Sequence, residues 1–151
     1  MGQLRDDLLS LPEETPAIVA FLGDNIYPRG LRTEAPYYAR DRSHLEAQIE
    51  VVRGSSAVGV SLPGNHDWDN SGKDGLARFA TQENYLATQA SKGMATTMLR
   101  PRGGCPGPET MQLGDASISI PGSIGSKSTI RKFTDSTTGN ICSVTRTRLS
   151  G

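Results

Sequence analysis

Two short polar turns carry the side chains best suited to chemistry: Gly23-Asp24-Asn25-Ile26-Tyr27 and Gly64-Asn65-His66-Asp67. Asp24 is a hard oxygen donor that can bridge two divalent cations. Asn65 offers a neutral carbonyl oxygen, which leaves a cation more of its charge for an anionic phosphate. His66 can protonate a leaving oxygen. Asp67, next to it, can accept a hydrogen bond from the imidazole and fix its tautomer. Gly23 and Gly64 suit sharp turns that bring backbone close to metal or substrate. Each turn alone is ordinary, because Asn, Asp and Gly are turn formers. Two of them in matching positions are not.

The elements that must position these turns follow from the apolar pattern. Ala17–Leu22 and Ala57–Leu62 are short apolar runs directly before the turns, and the first reads as a strand covered on both faces. Between them, residues 37–53 read as a helix with Leu45, Ile49 and Val52 on one face and Gly54 as its stop. Strand, helix, strand over this length is a βαβ unit with parallel strands. Both turns would then leave the sheet at its carboxyl edge, where open α/β sheets bind ligands.

The rest of the chain is read more simply. Leu4, Leu8, Leu9 and Leu11 suggest a short helix ending near Pro12. Residues 72–89 read as a further helix with Leu76, Phe79, Ala80 and Leu86 on its apolar face. Residues 94–108 read as a Gly- and Pro-rich loop, and 110–113 with 116–120 as a hairpin across Gly114-Asp115. After Pro121 the sequence becomes rich in Ser, Thr and Gly, with Asp135 its only acid, and reads as an irregular tail. The expected division is 1–120 as a partial domain and 121–151 as that tail.

Composition excludes several classes. The 151 residues suffice for one domain, and 16 basic residues balance 16 acidic ones, so nothing signals a specific nucleic-acid face. Cys105 and Cys142 have no zinc-type spacing and are too few for a disulfide framework. No run of 18 apolar residues exists, so no membrane span is expected, and the default location is cytoplasmic. The oligomeric state is not readable.

The two turns resemble the second and third sequence blocks of the calcineurin-like metallophosphoesterases, which include the purple acid phosphatases. The resemblance covers residues 1–120. It implies an α/β fold of β-sheet layers flanked by helices, of which this chain holds the N-terminal half. It implies a phosphoester hydrolase, phosphatase or phosphodiesterase, acting by two-metal-activated water attack. Asp24 would bridge the metals, Asn65 would ligate the second, and Tyr27 matches the tyrosine ligand of the purple acid phosphatases. His66 and Asp67 would be the catalytic pair. The metals would be two ions of Fe, Mn or Zn, and the partner a phosphoester substrate.

The pattern also departs from that family. Its first block, Asp-x-His, has no counterpart before Asp24, and its later histidine blocks are missing, because the chain has only His44 and His66. His44 reads as a surface residue on the helix. Two explanations differ in class. One is an incomplete copy of an enzyme, truncated and weakly active or inactive. The other is a non-catalytic binding module on a degenerate phosphoesterase scaffold. Trp68 reads as packing beneath its loop, and Arg29 and Arg32 read as solvated loop charges.

Overall fold

The computed structural model describes residues 2–93, 96–104 and 108–120. Helix α1 (Gly2–Leu9) precedes strand β1 (Ile18–Leu22), helix α2 (Tyr37–Val52) and strand β2 (Val58–Leu62). Helix α3 (Gly75–Ser91), strand β3 (Thr97–Leu99) and strands β4 (Glu109–Leu113) and β5 (Ala116–Ile120) complete the described chain. It is a mixed α/β arrangement with a parallel three-stranded sheet in the order β1-β2-β3 and an antiparallel β4-β5 hairpin.

Register decides the geometry that matters. Ile18 pairs with Val58 and Leu22 with Leu62, in parallel, so β1 and β2 end level with each other. The turns at Gly23 and Pro63 therefore emerge side by side at the carboxyl edge. Ser61 pairs with Leu99, which brings the segment after β3 to the same edge.

One face of the sheet is packed. Leu45 and Ile49 of α2 and Phe79 and Leu86 of α3 form a buried core with Ile26, Leu31 and Leu99. A second cluster joins Leu8 of α1 to Val51, Val52 and Ala57, with Val19 and Phe21 packed against it. Alternation along β1 sends Val19 and Phe21 toward these helices and Ile18, Ala20 and Leu22 to the other face. There Ile18, Ala20, Val60 and Leu62 line a groove with Met111 and Ile118 of the hairpin.

Four expectations need correction. β1 is not covered on both faces: Ala20 is exposed and Leu22 is 76 % exposed, because the hairpin covers only part of that side. Residues 94–108 are not loop throughout, since 97–99 form β3. α3 starts at Gly75, and Leu76 and Ala80 are exposed while Gln82 is fully buried between Phe79 and Leu86. Arg32 is not a solvated charge. It is buried, with Nε 2.7 Å from Asp41 Oδ2 and Nη2 2.8 Å from Oδ1. The hairpin and exposed His44 agree with the sequence reading. Cys105, Cys142 and residues 121–151 lie outside the described residues.

Candidate functional site

The loop after β1 is turned sharply at its start. Gly23 donates to Leu62 O at 2.9 Å, continuing the ladder, and then both Gly23 and Asp24 take positive φ, +74° and +44°. Left-handed backbone at a non-glycine residue costs on the order of 1–3 kcal/mol and persists only when its surroundings enforce it. The enforcing contacts come from the second loop. Asp24 Oδ1 accepts the backbone N–H of His66 at 3.1 Å, and its Oδ2 accepts the Tyr27 hydroxyl at 3.1 Å. Gly64 is packed so tightly beneath Asp24 that a Cβ there would run into Asp24's amide and carboxylate.

The deepest tie is Asp67. Its side chain is fully buried. Oδ2 accepts the N–H of Gly64 at 2.8 Å and of Asn25 at 3.0 Å, with Asn25 Nδ2 at 3.3 Å, and Oδ1 accepts the N–H of Ile26 at 3.1 Å. Burial pushes its carboxyl above the usual carboxylate range, although these donors pull the other way. Asn25 extends the network inward. Its Nδ2 donates to Leu62 O at 2.7 Å, and its Oδ1 accepts from Gln48 Nε2 at 3.0 Å. Ser61 Oγ donates to Gln48 Oε1 at 3.2 Å. Helix α2 and strand β2 thus brace the first loop from behind.

The expected partnership of Asp67 with the His66 imidazole is therefore corrected. The carboxylate is spent on the backbone N–H groups of Asn25 and Ile26 in the facing loop and of Gly64 in its own. The ring instead places Nδ1 2.7 Å from Pro28 O. A carbonyl only accepts, so Nδ1 carries the ring proton and the neutral ring presents a bare Nε2. The ring also packs on Tyr27, with centroids 4.1 Å apart.

Asp24, Tyr27, Asn65 and His66 all lie at this junction of two loops. Asn65 Nδ2 donates to Asn70 Oδ1 at 2.7 Å, and Asn70 Nδ2 reaches Pro28 O at 3.3 Å. Tyr27 is more than half exposed, and the Asp24 carboxylate beside it raises its pKa, first through their hydrogen bond and then through its charge. Trp68 is not at the mouth: it stacks on Phe79 with centroids 4.5 Å apart, as its packing role predicts. Arg29 is solvated, with Asp69 as a partner at 3.8 Å.

These donors do not fit a cation pair by themselves. The junction offers one carboxylate, one amide, one imidazole and one phenol whose proton Asp24 helps retain. Among the described residues no group of three or more His, Cys, Asp or Glu side chains comes together. Two cations that clamp a phosphate need more anionic and imidazole donors than this.

Comparison with family models, with curated proteins and with solved structures finds no match. No helix among the described residues is long and apolar enough to cross a membrane.

Sequence reasoning missed Asn25, Gln48, Ser61 and Asn70. Asn25 and Asn70 stand in or beside the polar turns, so their type was a signal. Gln48 and Ser61 had none, because their partners are set by tertiary packing.

Proposed function

We propose that this chain presents one corner of a metal-dependent phosphoester hydrolase site, and that alone it turns over weakly or not at all. The supporting observation is the junction itself: Asp24 Oδ1 lies 3.1 Å from the backbone nitrogen of His66, so two loops at one sheet edge share a carboxylate, an amide and an imidazole. That chemistry suits an anionic phosphoester held by a cation. Asp24, Asn65 and Tyr27 would be this chain's metal-facing donors, and His66 would give a proton from Nε2 once that nitrogen is itself protonated, with Asp67 holding the loops in register. Further donors for two ions of Fe, Mn or Zn would have to come from outside the described residues. The choice between phosphatase and phosphodiesterase is not encoded at this junction.

A second reading is a non-catalytic binding module on the same scaffold. It is favoured by the internal satisfaction of Asp24 and Asp67, which lets the loops converge without a metal. One experiment separates the two. Calorimetric titration with Mn²⁺ and Zn²⁺ is paired with hydrolysis of p-nitrophenyl phosphate and its bis ester, for the chain and for Asp24→Ala. Saturable metal binding that is lost in Asp24→Ala, with any metal-dependent hydrolysis, supports the hydrolase reading. No metal binding and no hydrolysis would remove it and leave the binding module.

A further inference from the structure

We propose that Asn70 is the positioning residue of this junction, turning the Asn65 amide so that its Oδ1 is kept free for a ligand. The turn Asp69–Ser71 has three successive non-glycine residues at positive φ, +54°, +53° and +64°. Such a conformation is unfavourable for L residues, and glycine would serve the backbone at position 70 with less strain. An asparagine there has a different use, because both ends of its side chain are engaged. Oδ1 accepts from Asn65 Nδ2 at 2.7 Å, and Nδ2 reaches Pro28 O at 3.3 Å. The backbone closes the same ring, with Asn70 N donating to Asn65 O at 2.8 Å.

Two consequences follow from donor and acceptor chemistry. An amide has distinct ends, and committing Nδ2 to Asn70 leaves Oδ1 as the free one; among the described residues Oδ1 accepts no hydrogen bond. Pro28 O serves both Asn70 and His66 Nδ1, so the same short chain of contacts joins Asn65 to the imidazole. Asn70 thereby holds the Asn65 amide directly and shares an acceptor with the imidazole.

The importance of Asn65 Oδ1 rests on the hydrolase reading, but the orientation itself is tested without substrate or metal. The probe is the Asn65 side-chain amide, followed by ¹⁵N NMR in the free chain, in Asn70→Gly, Asn70→Ala and Asn70→Asp. Asn70→Gly suits the positive φ and keeps the fold, checked by circular dichroism. Asn70→Asp keeps the acceptor oxygen. In Asn70→Gly and Asn70→Ala the Asn65 amide protons should exchange about tenfold faster, the loss of one hydrogen bond. In Asn70→Asp their protection should survive. Unchanged exchange in Asn70→Gly and Asn70→Ala overturns the proposal, and so does equal loss in all three variants. A failed phosphoesterase assay leaves this result standing, and the reverse holds as well.

Discussion

Asp67 and Asn25 are forty-two positions apart in sequence, yet Asp67 Oδ2 accepts both the backbone N–H of Asn25, at 3.0 Å, and its side-chain Nδ2, at 3.3 Å. The contact works as a clasp between the two polar loops. Its strength comes from burial: a carboxylate out of water, facing donors also out of water, cannot be exchanged for solvent without loss. Asp67→Ala strands the N–H groups of Gly64, Asn25 and Ile26, and should cost about 3 kcal/mol. Asp67→Asn keeps one acceptor oxygen and should cost less. Urea unfolding midpoints of the two variants check the order; equal stability of Asp67→Ala and the parent would show that the clasp is idle.

The Arg32–Asp41 pair predicts an acid limit to stability. Burial alone would raise the Asp41 carboxyl, but the hydrogen bonds and charge of Arg32 outweigh it and hold it below the usual range. A carboxyl with a lowered folded-state pKa adds stability that is full above the unfolded value, about 3.9. That contribution is lost as pH falls through the folded value. The parent chain should therefore lose stability as pH falls below the ordinary aspartate range. Asp41→Asn should lie about 3 kcal/mol lower at neutral pH, because it leaves Arg32 buried without its counter-charge. It should also show a flatter acid limb. Denaturation midpoints measured from neutral to acid pH report both; parallel curves would count against the pair.

The open face of β1 predicts a contrast between two aliphatic residues. Leu22 is 76 % exposed and Ile49 is 2 % exposed. Leu22→Ala should change stability by no more than about 0.5 kcal/mol. Ile49→Ala opens a cavity among Leu45, Phe79 and Leu86 and should cost about 3 kcal/mol. Thermal melts of both variants are enough. A large loss at Leu22 would mean that something covers that face.

What the sequence disclosed, and what it hid, follows the same physics. α2 was legible because Leu45, Ile49 and Val52 recur at helical spacing and are all buried. β1 and β2 were legible as apolar runs, but a run does not say how many faces are covered, so Leu22 was misplaced. β3 was invisible: three residues carry no period, and Thr97 becomes strand only through its pairing with Gly59. The residue types at the junction were visible in both turns. Their partners were not, because Asp67 and His66 are adjacent in sequence and invite pairing, whereas the donors Asp67 takes from Asn25 and Ile26 reach it only through the parallel register of β1 and β2. Arg32 looked like any loop arginine until α2 brought Asp41 against it.

Gly64 offers the most local test of the junction. A methyl group at this position would meet the amide and carboxylate of Asp24, which are backbone and a short, hydrogen-bonded side chain rather than a flexible tip. Neither can yield without breaking the bond from His66 N to Asp24 Oδ1 or the one from Tyr27 to Oδ2. Gly64→Ala should cost about 2 kcal/mol as an overpacking substitution. Because the atoms a methyl group would meet first are those of Asp24 in the facing loop, the variant should stay folded. Its damage should therefore appear at the junction, as shifted amide resonances of residues 24 and 66 and as weaker Mn²⁺ binding wherever the parent chain binds that ion. Unshifted resonances at both positions would mean that the two loops are not in contact in solution, and the shared site would fall with them.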